Sequence, residues 1–203
     1  MSEAIHVKRY TGEAFQRHIP ELARLRIEVF NDFPYLYDGD VEYEQKYLTT
    51  YTRAKDAVIV IAFDGEKAIG ASTGMPMTEE TEEIRRPFLE QSYDISRVFY
   101  FAESVLDKRY RGHGLGVKFF EHREAHVTEL NRFDITCFCG VQRPEDHPRR
   151  PRAFVPLDRF WAKRGYAKHP ELTTHISWKD HDEETESLKP MTFWLKDWRG
   201  VKT

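Results

Sequence analysis

The stretch Arg111-Gly112-His113-Gly114-Leu115-Gly116 is the most informative part of this 203-residue chain. It follows an apolar and aromatic run, Val98–Leu106, that predicts a strand, and it precedes a pattern that predicts a helix over Leu115–Asn131. Three glycines in five positions let the backbone turn sharply and lie close to a bulky group. Because a helix begins there, its free N–H groups and positive dipole end face the turn. Together with the arginine, they predict a cradle for a diphosphate.

The spacing of the glycines separates this turn from two common nucleotide-binding loops. A Walker loop ends in Gly-Lys-Ser/Thr, and Val117-Lys118-Phe119 does not supply that ending. A dinucleotide fingerprint has the spacing G-x-G-x-x-G, whereas this chain has G-x-G-x-G; Asp134 could serve as its ribose-binding acid, but the glycines do not fit. A glycine-rich turn that binds nothing is the plain alternative.

The composition, 40% apolar and 32% charged residues, is that of an ordinary soluble globular protein. A formal net charge of −3 argues against nucleic acid or an anionic membrane as a partner. No apolar run approaches the ~20 residues of a spanning helix, and the N-terminus resembles no signal peptide, so we expect a cytoplasmic protein. Cys137 and Cys139 alternate in one predicted strand and should be buried free thiols. No zinc-type ligand spacing occurs, so no metal site is predicted.

The predicted elements describe a single α+β domain over residues 1–203. A strand at 5–10 is followed by helices at 20–30 and 41–51, and Asp64-Gly65 predicts a hairpin between strands at 57–63 and 67–75. The later elements are a helix at 79–89, a strand at 98–106, a helix at 115–131, a strand at 134–141, a helix at 157–164, and strands at 172–179 and 191–196.

The pattern Arg111-x-x-Gly114-x-Gly116 resembles the acetyl-CoA pyrophosphate loop of the GNAT superfamily of N-acetyltransferases. Phe119 and Phe120 extend that match, Phe160–Tyr166 looks like the family's later helix, and Pro190–Lys196 resembles the closing strand of some bacterial members. The resemblance covers most of the chain and indicates a small, bacterial-type member. It implies a mixed, mostly antiparallel, twisted sheet of about seven strands flanked by helices, with the fourth and fifth strands splayed apart.

The resemblance also implies how acetyl-CoA, the acyl donor, would be held. The pantetheine arm would pair with main-chain groups of the fourth strand, and the pyrophosphate would rest on the N–H groups of the glycine turn. The residues assigned in this way are Ser104, Val105, Leu106, Arg111, Gly112, His113, Gly114, Leu115 and Gly116. Arg109 is either a further phosphate ligand or an ordinary surface side chain.

Acetyl transfer to an amine requires a proton acceptor, because an ammonium with a pKa near ~10 has no free lone pair. Glu103 is the leading candidate, since it is an acid in an otherwise apolar strand directly before the expected cofactor-binding backbone. Two alternatives stay open: Glu103 could bind the acceptor's ammonium, or pair structurally with an arginine. The family often protonates the leaving thiolate with a tyrosine on the later helix, where this chain has Trp161; Tyr166 is expected to pack.

The turn-rich loop Phe33–Asp40 is the predicted acceptor site. Aromatic rings beside carboxylates suit a cationic amine, and the assigned contacts are Phe33, Tyr35, Tyr37 and Asp38. A loop whose aromatic side chains seal the core is the alternative.

The predicted function is acetyl transfer from acetyl-CoA to the primary amine of a small molecule by direct attack, without a metal. A non-catalytic acyl-CoA-binding module and a protein or peptide N-acetyltransferase are the competing functions, and a homodimer is left open.

Overall fold

A computed structural model describes residues 5–200, and its centre is one mixed sheet. The strands lie in the order β1-β2-β3-β4-β6-β8-β7, with β5 also paired to β3. Only β4 and β6 are parallel among the described pairs. The strands are β1 (His6–Tyr10), β2 (Val58–Asp64), β3 (Lys67–Pro76), β4 (Val98–Tyr100), β5 (Ser104–Leu106), β6 (Ile135–Val141), β7 (Ala167–Trp178) and β8 (Ser187–Asp197).

Five α-helices flank this sheet in the described part of the chain. They are α1 (Ile19–Phe30), α2 (Val41–Arg53), α3 (Glu82–Glu90), α4 (Leu115–Leu130) and α5 (Asp158–Ala162). Short 3-10 turns cover Gly12–His18, Met77–Glu79, Ile95–Arg97 and Lys108–Tyr110. The predicted α+β class is therefore confirmed, and so is the hairpin at Asp64-Gly65, where Asp64 pairs with Lys67.

The two faces of the sheet carry different helices because successive residues of a strand point to opposite sides. Ile59 and Ile61 of β2 pack with residues of α1 and α2. Their neighbours Val58 and Val60 pack with residues of α4 on the other face. The central strands are thus covered on both faces, which accounts for their continuous apolar sequence.

The single strand predicted over 98–106 is wrong, because a β-bulge divides it into β4 and β5. Opposite β3, Ser104 pairs with Ser72 and Tyr100 pairs with Met75, so the strand holds one residue more than β3 between these pairs. The N–H of Phe101 still donates to Cys137 of β6 (2.7 Å), and beyond it the chain leaves β6. This raises the strand segments to eight and opens the sheet between β5 and β6.

The bulge is held from the opposite side by a buried arginine of α4. Arg123 is 2% exposed, and its Nη1 donates to the carbonyls of Thr73 (3.2 Å) and Glu103 (3.3 Å). Its guanidinium lies 4.3 Å from the ring centre of Phe101. Burial lowers the pKa of Arg123 to about 10. Arg123 thus joins the carbonyls of both strands at the bulge, and the carbonyl of Glu103 also accepts from the N–H of Thr73 (3.0 Å).

Other boundaries shift where the residue pattern was locally ambiguous. The helix predicted at 79–89 begins at Glu82, because Met77–Glu79 forms a 3-10 turn, and the helix predicted at 157–164 is regular only over Asp158–Ala162. The last two strands are longer than predicted and form one long hairpin. Cys137 and Cys139 are buried free thiols, as expected. Within residues 5–200, no helix has the length and apolar character needed to cross a membrane.

Candidate active site

The glycine turn forms an open cradle at the start of α4. Gly112 has φ +85° and Gly114 has φ +78°, a left-handed conformation that side chains rarely adopt. A Cβ atom at either position would find no atom within 4 Å, so the space in front of the turn is free. Among residues 5–200, the N–H groups of residues 112–116 donate to no backbone carbonyl. Free donors around open space fit a phosphate group.

The two arginines beside this turn have different surroundings. The guanidinium of Arg109 forms an ion pair with the carboxylate of Asp107, and its Nε donates to both carboxylate oxygens at 3.0 Å. Hydrogen bonds from Arg109 lower the pKa of Asp107 to about 2. Arg111 instead is exposed and lines a cavity of about 240 Å³. The other residues around this cavity are Ile27, Glu28, Val29, Asn31, Asp32, Asp107 and Lys108.

The remaining residues of the turn support it from within. A ring nitrogen of His113 lies 3.2 Å from the carbonyl oxygen of Tyr110 and 3.1 Å from that of Arg111. Leu115 is buried, and a Cβ at Gly116 would approach the ring of Phe160 to 3.1 Å. A larger residue at 116 would therefore push α5 away from α4.

The predicted pantetheine-binding residues lie on an unpaired strand edge. Ser104, Val105 and Leu106 form β5, which pairs with β3 on one side. In the described part of the chain no strand pairs with its other edge. Across the gap, Trp161 of α5 packs on Phe138 of β6, with ring centres 5.1 Å apart. The glycine turn follows β5 after the 3-10 turn Lys108–Tyr110. We call the gap between β5 and β6, together with this turn, the cleft.

Comparison with family models and with curated proteins gives no match for this sequence. Solved structures do match. A GNAT-family acetyltransferase from Streptococcus pneumoniae matches over 96% of this chain and 99% of its own, at 12% identity and a TM-score of 0.58. A ribosomal-protein-alanine N-acetyltransferase from Brucella melitensis matches over 95% and 99%, at 11% identity and a TM-score of 0.61. The chain has the GNAT fold.

A third match has a ligand. A protein from Salmonella typhimurium assigned as an acetyltransferase, and solved with its cofactor acetyl-CoA, matches over 96% of this chain and 94% of its own, at 6% identity and a TM-score of 0.59. The GNAT fold predicted from the glycine turn is thus confirmed over nearly the whole chain. At these identities the likeness is one of fold, and the site must be argued from this chain's own residues.

Glu103 lies at the bulge of the GNAT sheet, in a buried ion pair. Its Oε1 is 2.6 Å from Nη1 of Arg26, and its Oε2 accepts a hydrogen bond from the hydroxyl of Tyr47 (3.0 Å). Arg26 also pairs with Glu44, and the side chains of Glu44 and Glu103 are only 1% and 7% exposed. Burial by itself would lower the pKa of Arg26, but Glu103, with Tyr47 and Glu44, raises it. The guanidinium therefore stays charged and compensates two carboxylates.

A group of tyrosines surrounds this ion pair. The hydroxyls of Tyr47 and Tyr51 are 2.8 Å apart. The single O–H of Tyr47 already donates to Glu103, so in the pair of hydroxyls Tyr51 must be the donor and Tyr47 the acceptor. The hydroxyl of Tyr100 on β4 lies 3.1 Å from the sulfur of Cys139. Burial raises the pKa of the Cys139 thiol to about 12, which makes it a poor nucleophile at neutral pH.

Glu80 completes this group, from the end of the 3-10 turn that follows β3. Its Oε1 is shielded from solvent and has no hydrogen-bond partner among residues 5–200. The turn that precedes it contacts β4, the strand of Tyr100. Burial raises the pKa values of Tyr47, Tyr51 and Tyr100, and the charge of Glu80 adds to this effect. We call Glu80, Glu103, Tyr47, Tyr51 and Tyr100 the tyrosine–carboxylate cluster.

The residues of the predicted acceptor loop have different surroundings in the structure. Tyr35 packs on Phe30 and Trp178, with ring centres 4.6 and 5.9 Å away, and burial, with the charges of Cys139 and Glu103, raises the pKa of its hydroxyl. Tyr37 hydrogen bonds to Glu44. Phe33, by contrast, packs on Phe154 with ring centres 4.7 Å apart, on the far side of the loop.

The loop is tied down at its base. Asp38 is neutralised by Lys179 at 2.6 Å. Arg143 donates to the carbonyls of Pro34 (2.7 Å) and Tyr35 (2.8 Å) and pairs with Asp180. The loop is thus a fixed wall, and only its tyrosines approach the bulge.

The later helix offers no tyrosine toward the cleft. Trp161 packs edge-to-face against Phe138 and Trp194. A Cβ atom at Gly140 would lie 3.1 Å from its ring. Tyr166 is 2% exposed, and its hydroxyl lies 3.0 Å from Thr136 Oγ1 and donates to Glu124 (3.1 Å). The packing role predicted for Tyr166 therefore agrees with its position.

Four members of the cluster, all except Glu103, were missed by sequence reasoning, and one weak signal pointed to two of them. Tyr47 and Tyr51 stand one helical turn apart, a spacing that puts both on one face of α2. Glu80 lies in the acidic run Thr78–Glu83, where nothing in the local pattern distinguishes it from exposed acids. Within residues 5–200, no group of three or more His, Cys, Asp or Glu is arranged to hold a metal ion.

Proposed function

We propose that this protein transfers the acetyl group of acetyl-CoA to the primary amine of a small molecule, by direct attack while both substrates are bound. One observation carries the proposal: the open glycine cradle and the free edge of β5 lead to the bulge, where the tyrosine–carboxylate cluster begins. The GNAT fold of the acetyl-CoA-containing Salmonella protein supports the identity of the donor.

The chain's own groups divide the work along the cleft. The N–H groups of residues 112–116 and the charge of Arg111 bind the pyrophosphate, and the edge of β5 aligns the pantetheine arm. Acetyl-CoA supplies an activated acyl group as a thioester. Main-chain N–H groups next to the bulge orient and polarise the thioester carbonyl.

The tyrosine–carboxylate cluster is the proposed acceptor site. Its rings and carboxylates attract an ammonium group by cation–π contact and by charge. Tyr35 extends the aromatic wall, whereas Phe33 and Asp38 are engaged elsewhere. Glu103 stays a prediction as the proton acceptor, and its ion pair with Arg26 supports the structural alternative equally well.

A thiol-release assay with acetyl-CoA and a panel of amines, amino acids, polyamines, aminoglycosides and peptides tests the proposal. Turnover of a small amine is the expected result. Binding of CoA in calorimetry without thiol release from any acceptor would indicate a regulatory acyl-CoA-binding module instead. Turnover confined to peptides would indicate a protein N-acetyltransferase.

Arg111→Ala should weaken CoA binding about tenfold, because a charge-assisted hydrogen bond to phosphate contributes about 1.5 kcal/mol. Arg109→Ala is the matched control. Since its guanidinium is already bonded to Asp107, its removal should change the Kd less than about twofold. Calorimetric titration with CoA measures both values. Equal losses in the two variants would mean that Arg111 has no special role.

A further inference from the structure

We infer that Glu80 is the group that removes the proton from the acceptor amine, a role that rests on the proposed acetyl transfer. Glu80 follows the 3-10 turn Met77–Glu79, at the end of the strand that pairs with both halves of the bulge. That turn contacts β4, the strand that carries Tyr100.

The hydrogen bonding of Glu80 leaves one oxygen free for a proton. Its Oε2 accepts a long hydrogen bond from the N–H of Thr81 (3.4 Å), while Oε1 is shielded from solvent and, among residues 5–200, unpartnered. A buried acceptor without a donor is unusual and points to a missing ligand group. An ammonium or amine N–H is the kind of donor that this oxygen lacks.

Glu103 also has a shielded Oε1 without a hydrogen-bond partner of good geometry, but unlike Glu80 it has a cation beside it. A cation lies against its Oε1 and a hydroxyl donates to its Oε2. Of the two acids in the cluster, Glu80 is the one that, among residues 5–200, has neither an ion-pair partner nor a hydroxyl donor.

The surroundings of Glu80 tune its basicity. Burial raises the pKa of its carboxyl to about 7, the N–H of Thr81 lowers it, the charge of Glu103 raises it and Arg85 lowers it. Such a carboxyl is about half ionised near neutrality, the range in which a general base works best. The titratable and charged groups that face it are Glu103, Arg85, Tyr47, Tyr51, Tyr100, Cys137 and Cys139.

The proton and electron balance of the step is complete. Glu80 Oε1 takes one proton from the ammonium, which frees the nitrogen lone pair for the new C–N bond to the acetyl carbon. The C–S bond of the thioester breaks, and its electron pair leaves on sulfur. The second nitrogen proton passes to that sulfur through solvent, and Glu80 returns its own proton to solvent.

Glu80→Gln tests the inference, with Glu79→Gln on the same turn as the matched control because Glu79 is exposed. In the thiol-release assay, we expect kcat/KM of Glu80→Gln to fall about 100-fold. In the wild type, kcat/KM should fall on the acidic side of about pH 7, and this acidic limb of the pH–rate profile should disappear in Glu80→Gln. An acceptor with a weakly basic amine should suffer a smaller loss, since it needs no base. Glu79→Gln should match the wild type. Glu103→Gln should keep the acidic limb, whatever its turnover.

A measurement without substrates adds an independent readout. The pKa of Glu80 is higher in the folded protein than in the unfolded chain, so its contribution to stability is present below about pH 4.5 and is lost as the pH rises through about 7. The Tm of Glu80→Gln relative to wild type should therefore increase between pH 5 and pH 8. A constant difference would contradict the inference.

The outcomes separate the two proposals. An inactive wild type overturns the proposed function and, with it, this role of Glu80. An active wild type whose turnover and acidic limb survive in Glu80→Gln overturns the role of Glu80 alone. Unchanged CoA affinity in Glu80→Gln, measured by calorimetry, is expected and would show that the variant is folded.

Discussion

Arg26→Met should lower the free energy of unfolding by about 3–5 kcal/mol, because it leaves two buried carboxylates without their cation. The side chains of Glu44 and Glu103 are 1% and 7% exposed, so water cannot replace the guanidinium. Methionine is similar in length and can pack on the rings of Phe30 and Tyr47, but it also removes the cation–π contacts of the guanidinium with these rings (5.1 and 4.4 Å). Urea denaturation followed by circular dichroism measures the change.

Two controls separate lost charge compensation from lost packing. The triple variant Arg26→Met, Glu44→Gln, Glu103→Gln removes the uncompensated charges and should recover most of the lost stability. Arg86→Ala breaks an exposed ion pair with Glu90 and should cost less than about 1 kcal/mol. If the triple variant is no more stable than Arg26→Met, the cost comes from packing and the ion pair is not the cause.

Gly114→Val should reduce CoA affinity about 100-fold, equivalent to about 2.7 kcal/mol. Gly114 has φ +78° and precedes α4, so a β-branched residue both strains the turn and fills the space in front of the free N–H groups. The strain alone costs about 1–3 kcal/mol of stability. Loss of binding comes from the side chain that occupies the phosphate's place.

Gly12→Val is a matched control for that experiment. Gly12 also has a positive φ, +59°, and open space around its Cβ position, but it begins the turn Gly12–His18 far from the cleft. We expect both variants to lose similar stability in urea denaturation and only Gly114→Val to lose CoA binding in calorimetry. Equal affinities in the two variants would refute the phosphate cradle.

The glycine turn and the hairpin at Asp64-Gly65 could be predicted because their conformations depend on neighbouring residues. The left-handed angles of Gly112 and Gly114 follow from steric limits within the dipeptide. The order of strands and helices followed from periodicity, and the GNAT resemblance of a six-residue motif gave the topology. Local chemistry was sufficient for these features.

The bulge and the identity of the arginine that pairs with Glu103 could not be predicted in the same way. The run Val98–Leu106 is continuously strand-like, and its interruption depends on Arg123, which reaches the carbonyls of Thr73 and Glu103 from another element. The pairing of Glu103 with Arg26 likewise joins residues 77 positions apart in the sequence. Neither contact leaves a trace in the residues around it.

The sequence by itself determined the order of the elements and the place of the glycine turn, because both arise from short-range sterics and hydrophobic periodicity, and the resemblance to the GNAT superfamily implied the topology. Tertiary structure alone decided which carboxylates are free. Glu80 lies in an acidic run for which the sequence predicts exposed side chains. In the structure, packing shields its Oε1 and burial raises the pKa of its carboxyl to about 7. Glu103 is the residue that the sequence favours as the catalytic acid, and in the structure the negative charge of its carboxylate is paired with Arg26. Desolvation and ion pairing depend on what surrounds a group in space, and residues distant in the chain provide those surroundings.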